Sequence, residues 1–200
     1  MTTTPSMANN LRRAESSVPK KALFLPEESD YIASFGLKAV ALVKSAEDSE
    51  FVRGLREEAC LAKLPIHVGV YEPRNDAGKV KNTLLWIDHQ GKITQRYQKI
   101  HLFDVEIRDG PVLKESACVE RGMKILPPFE APVGKVASTI CFDLRFPEIS
   151  IALKRQGCDI ITFPSAFTVP TGKAHWQPLL RARAIETQSY VIAAAQVRVS

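Results

Sequence analysis

Short apolar runs rich in Val and Ile, each cut off by proline or glycine, alternate along this chain with stretches whose apolar residues recur at helical spacing. That alternation leaves few architectures open. Strands separated by helices share sheets that the helices then cover, so the pattern predicts a layered α/β fold. Residues 22–25 read as a buried strand stopped by Pro26, which cannot donate to a sheet ladder. Over residues 48–64, Phe51, Val52, Leu55, Ala59 and Ala62 fall on one helical face before Pro65 ends the run. Residues 66–70 form the next strand, and 82–87 and 93–97 flank a glycine-containing hairpin turn, DHQG, at 88–91. A strand over 131–139 is expected to run into Ile140 and Cys141. Pro147 then opens a helix that reaches Arg155 and closes at Gly157. A strand at 159–163, a helix at about 175–186 and a strand at 190–195 complete the pattern.

The 200 residues suit one domain, taken here as residues 1–200. With 45% hydrophobic and 24% charged residues and no apolar run long enough to span a bilayer, membrane insertion is not expected. The net charge of +5 arises from 27 basic residues scattered among 22 acidic ones; without a basic stripe it argues against nucleic acid and suits acidic small molecules. Four cysteines without CxxC spacing exclude a zinc ribbon or disulfide framework and predict reduced, intracellular thiols. The first 21 residues are rich in Ser and Thr and carry Arg12, Arg13, Lys20 and Lys21, but Glu15 and the lack of an amphipathic pattern oppose a transit peptide. The expected compartment is cytoplasmic, with mitochondrial import the alternative.

In open α/β sheets, reactive groups gather beyond the carboxyl ends of strands. Glu27, Lys99 and Cys141 each follow a predicted strand. Singly, such a cysteine is usually a small core residue and such charges usually face solvent. Together they form a chemical set: a carboxylate to take the thiol proton, a nucleophilic sulfur, and an ammonium to meet negative charge on an attacked carbonyl. Asp143, Arg145 and Glu148 are expected to brace the elbow after Cys141, and Arg181, Arg183 and Glu186 to form a charged helix face. His175 reads as a helix-start residue. His67 and His101 lack the surroundings of a Cys–His protease.

The segments ALFLPE (22–27), YQKIHLFDVE (97–106) and ICFDLRFPE (140–148) resemble, in order, the three signature segments of the nitrilase superfamily of carbon–nitrogen hydrolases. The similarity runs from about residue 22 to residue 196. GPVLKES (110–116) and the segment 163–196 resemble the branch containing deaminated glutathione amidases. The resemblance implies a four-layer α-β-β-α sandwich, with Cys141 as nucleophile, Glu27 as general base and Lys99 stabilising the oxyanion. The Phe142 backbone N–H would assist Lys99, and Glu106 would be a supporting glutamate beside the lysine. It further implies hydrolysis of a small, anionic linear amide, most closely deaminated glutathione, without metal or organic cofactor, in a homodimer. An ω-amidase acting on α-ketoglutaramate-like acids is the enzymatic alternative, and an inactive partner-binding chain the non-enzymatic one. Relatives carry a further strand before the segment matching residues 2–10 and continue beyond Gln196, so the sandwich is expected to be incomplete at both termini.

Overall fold

The structure, a computed structural model, describes residues 21–31, 37–74, 78–106, 112–167 and 169–196. Residues 1–20 and 197–200, on which the import reading and the terminal departures rest, lie outside the described residues.

Two sheets stack at the centre. In the first, β1 (Leu23–Phe24) pairs parallel with β2 (Ile66–Pro73), which pairs antiparallel with β3 (Val80–Ile87); β3 in turn pairs with β4 (Ile93–Gln98). The turn between β3 and β4 forms as expected, because Asp88 accepts from the Gln90 and Lys92 amides and Gly91 adopts φ 75°. Helix α1 (Leu37–Leu42) precedes α2 (Glu50–Ala62), which Ser49 caps by accepting from the Val52 amide. The helix buries Val52, Leu55 and Ala59 against Ile66, Val68, Val70, Leu85 and Ile87. Period-2 alternation then turns His67, Leu84 and Trp86 to the opposite face.

After β4 a small hairpin of β5 (Asp104–Glu106) and β6 (Val112–Lys114) precedes β7 (Val119–Glu120), which joins β3. These strands are too short to carry a periodic signal, and none was anticipated. The single strand expected over 131–139 is a hairpin instead. β8 (Phe129–Ala131) runs antiparallel to β9 (Gly134–Ser138), because Pro132 cannot donate and Gly134 supplies φ 121°. β9 continues parallel to β10 (Ile160–Thr162) and β11 (Tyr190–Ile192), giving the second sheet. Helix α3 (Pro147–Arg155) follows the Cys141 elbow. Helix α4 (Gln177–Thr187) begins two residues later than expected, because Gly172–Trp176 winds as a wider π-type turn.

Ala137 and Ile161 pack toward α3 and α4, against Ile149, Leu153, Leu179 and Leu180. The other face of this sheet meets the first sheet: Trp86 lies edge-on to Phe129 at 5.1 Å, and His67 Nε2 hydrogen-bonds Ser138 Oγ at 3.1 Å. The layers are therefore helix, sheet, sheet, helix. The parallel strands β1, β9, β10 and β11 send their carboxyl-terminal loops toward one another, which is what assembles the site.

Candidate active site

Glu27 leaves β1 along β2. The Gly69 amide donates to Pro26 O at 3.2 Å and the Ser29 amide to Gly69 O at 2.9 Å, stitching the segment down on both sides of Glu27. Lys99 directly follows β4, its amide donating to Asn82 O on β3 at 2.9 Å. Cys141 sits three residues past β9, at the start of a tight 3₁₀ turn, with φ 44°. A left-handed backbone costs a residue bearing a Cβ about 1–2 kcal/mol, so surrounding bonds must over-determine it. Asp143 supplies most of them. Fully buried, its carboxylate accepts from Ile140 N (2.8 Å), Tyr97 Oη (2.8 Å), His101 N (3.0 Å) and His101 Nδ1 (2.7 Å). The Cys141 amide donates to Pro164 O at 3.0 Å beyond β10. Of the three charges expected to brace the elbow, Asp143 does so, Glu148 is exposed, and Arg145 turns to the cavity that Cys141 lines.

Glu27, Lys99 and Cys141 line one cavity, and all three are buried. Lys99 Nζ donates to Glu27 Oε1 at 2.8 Å, and Asn82 Nδ2 donates to the same oxygen at 2.8 Å. The Ala166 amide, past β10, donates to Glu27 Oε2 at 3.0 Å, and the charge of Glu27 acts on the Cys141 thiol. Gln196, following β11, donates its side-chain amide to Glu27 O at 3.0 Å. Segments from both sheets thus hold one carboxylate in place.

The charges act on each other. Burial alone would lower the Lys99 pKa, but Glu27 and Glu115 outweigh it and hold the amine well above its ordinary value, as ammonium. Burial, reinforced by Glu27, pushes the Cys141 thiol well above its usual range, with Lys99 opposing. The resting sulfur is therefore a neutral thiol, and any reaction through its thiolate would require a base.

Glu106 is not beside the lysine. It ends β5 with an exposed side chain, paired with Val112 at the far end of the hairpin. The hairpin's returning arm instead brings in Glu115, whose carboxylate meets Lys99 Nζ at 3.1 Å (Oε1) and 3.0 Å (Oε2) and accepts from the Phe103 amide at 2.6 Å. Glu115 lies within GPVLKES but was not singled out in the sequence, since only pairing of β5 with β6 turns it back toward Lys99. Asn82, Ala166 and Gln196 were also missed; none belongs to a residue type or spacing that announces catalysis. Phe142 lines the cavity, its ring edge-on to Phe103 at 5.1 Å. His67 and His101 do not line it. Burial drops His67 to about 3, leaving it neutral between the sheets, and His101 stacks on Phe146 at 3.8 Å. Arg183 departs from the expected solvated face. Buried, it donates through Nε to Leu144 O at 3.1 Å and pairs with Glu186 at 2.6 Å, while Arg181 stays exposed.

Comparison with known proteins places this geometry. A family model described as carbon-nitrogen hydrolase matches residues 7–200. A Schizosaccharomyces pombe protein named "Probable hydrolase nit2" is 50% identical over 177 residues, covering 88% of this chain and 64% of its own length. Homo sapiens deaminated glutathione amidase is 37% identical over 211 residues, covering 98% of this chain and 63% of its own. The crystal structure of the Caenorhabditis elegans NitFhit protein superposes with a TM-score of 0.86 at 40% identity, covering 96% of this chain and 47% of that one. The chain thus spans less than two thirds of the length of each. With a site of buried Glu, Lys and Cys built from the loops of an α-β-β-α sandwich, and a family match across nearly its whole length, the chain belongs to the carbon–nitrogen hydrolase family.

Proposed function

We propose that this site hydrolyses a small linear amide to a carboxylic acid and ammonia through a thioester on Cys141, and that deaminated glutathione is the substrate. The observation that carries the reading is that one buried carboxylate, Glu27, bonds the Lys99 ammonium at 2.8 Å and acts electrostatically on the Cys141 thiol lining the same cavity. Because the resting sulfur keeps its proton, attack on the amide carbon is concerted with proton transfer to Glu27. Lys99 and the Phe142 backbone N–H take the oxyanion that forms. When the tetrahedral adduct collapses the C–N bond breaks, and Glu27 returns the proton to nitrogen so that ammonia leaves. Water then gives a proton to Glu27 as its oxygen attacks the thioester. The C–S bond breaks, the acid departs, and the sulfur recovers its proton. No step calls on a metal or organic cofactor.

The substrate choice has two supports: the name of the 37% identical Homo sapiens relative and a guanidinium in the cavity. Arg145 lines it, and among the described residues its Nε has no hydrogen-bond partner, so its guanidinium has capacity for charge-assisted bonds to a substrate carboxylate.

The test is a panel of ω-amides on the purified chain, scored by ammonia release. Deaminated glutathione should be turned over at least about tenfold more efficiently than α-ketoglutaramate, a margin of about 1.4 kcal/mol in transition-state binding. Cys141→Ser should abolish release. A preference for α-ketoglutaramate overturns the substrate, and no hydrolysis of any amide by the folded chain overturns the activity.

A further inference from the structure

A third glutamate lines the cavity of the reacting groups and takes no part in the mechanism above. Glu28 follows the base directly, adopts a left-handed backbone at φ 55°, and lines the same cavity as Cys141. That conformation is costly for a residue with a Cβ, and it is pinned by the Ser29 amide bond to Gly69 O and by Gln196, whose side-chain amide donates to Glu28 O at 3.4 Å. Tyr71 Oη on β2 donates to Glu28 Oε1 at 2.6 Å, which fixes one oxygen of the carboxyl group. Charged and titratable groups surround Glu28 on every side: Glu27 on its own segment, Tyr71 on β2, Tyr31, Lys99 after β4, Glu115 after β6, and Cys141 and Arg145 on the elbow. Counting cavity-lining side chains, three carboxylates stand against the two cations Lys99 and Arg145. One proton on Glu28 makes the balance even.

We propose that Glu28 is a specificity-determining residue that sets the charge selectivity of the acyl-binding cavity, repelling anionic acyl groups when ionised and admitting them when protonated. The inference rests on the amidase reading of the cavity and adds the class of substrate it takes under each condition. Burial first, then the neighbouring charge of Glu27, raise Glu28 from 4.5 to about 7, against the opposing effects of the Tyr71 hydroxyl and Lys99. The change of state therefore falls in the neutral range. A single charge added among the side chains lining a mostly buried cavity is worth on the order of tenfold in the rate for an anion. A neutral amide is indifferent to it. Substrates bearing a carboxylate should accordingly show a KM that climbs as pH rises through about 7, while the KM of an uncharged amide stays level.

The experiment uses Cys141 itself as the reporter and needs no turnover. Alkylation of Cys141 by iodoacetamide (neutral) and iodoacetate (anionic) is followed by peptide mass spectrometry from about pH 5.5 to about pH 8.5, the range that brackets titration of a group near neutrality. Dividing the two rates cancels the fraction of thiolate and leaves the charge term alone. In the wild type the iodoacetamide-to-iodoacetate ratio should rise on the order of tenfold across the range. Glu28→Gln should hold it constant at its low-pH value. Tyr71→Phe removes the hydroxyl that favours the ionised form and should move the midpoint of the rise to higher pH, which keeps the inference testable if the Gln variant folds poorly. A flat ratio in the wild type, a rise that persists in Glu28→Gln, or an unmoved midpoint in Tyr71→Phe overturns the proposal. Failure of the amidase reading looks different: no amide is hydrolysed, yet the ratio still follows Glu28.

Discussion

Lys99 keeps its charge because two carboxylates reach it, and of the two it is Glu27 whose charge also bears on the thiol. In the proposed mechanism Glu115 therefore positions the ammonium and does not react. Glu115→Gln should lower kcat/KM on the best amide by about 10²-fold, the scale of losing a preorganised electrostatic partner. Glu106→Gln, on the exposed edge of β5, should stay within about twofold, as surface changes do. Measuring both on one substrate distinguishes the two glutamates. The buried acids also shape stability. Glu28 rises from 4.5 to about 7 and Asp30 from 3.8 to about 6, each chiefly through burial, so the folded chain binds their protons more tightly than the unfolded one. Stability from these groups is full below their unfolded pKa values and is lost as pH rises through about 6 and about 7. Thermal melts of Glu28→Gln should accordingly match the wild type near about pH 4.5 and show a gain of about 1–3 kcal/mol near about pH 8.

At the scale of elements, the site depends on how closely the β1 loop lies on β2. A Cβ added at Gly69 would come within 2.7 Å of Glu27 Cα and 3.0 Å of Pro26 O, both backbone atoms, so the loop rather than a side chain must give way. Gly69→Ala should cost about 1–3 kcal/mol of stability by overpacking and shift the base by a few tenths of an ångström or more. Misplacement on the ångström scale costs about 10²-fold in rate, so ammonia release should fall far more than the melting temperature implies. Elements with strong local signals were legible beforehand: the α2 face and its Pro65 stop, the turn at Gly91, and α3 between Pro147 and Gly157 all follow from residue type and spacing. The β8–β9 hairpin and the three-residue arms of β5 and β6 were not, because segments this short acquire strand character from their partners rather than from their own sequence.

At the scale of the whole molecule, the two sheets meet through His67, Trp86, Phe129 and Ser138. Burial lowers His67 to about 3, from an ordinary value of 6.5, so here the unfolded chain is the better proton binder. The sign is opposite to that of the acids: this stability is complete above about 6.5 and is lost as pH falls toward about 3. Acid unfolding followed by Trp86 fluorescence should begin at lower pH in His67→Gln than in the wild type. That variant should be less stable near neutrality by about 1–3 kcal/mol, the cost of disturbing a packed, hydrogen-bonded ring. The same global assembly separates what could be read along the chain from what could not. Periodicity and proline and glycine stops were enough to predict a layered α/β fold and to single out Glu27, Lys99 and Cys141 as local properties of strand ends, while the sandwich was implied by the resemblance of three ordered motifs to a known family. The place of Glu115 where Glu106 was expected, the cavity-lining position of Arg145 and that of Glu28 are not local properties. They arise where loops far apart in the sequence close on one another, as when Ala166 donates to Glu27 across 139 residues. Distances between side chains at such a junction are set by pairing and packing of whole sheets, for which no window of residues carries a signal.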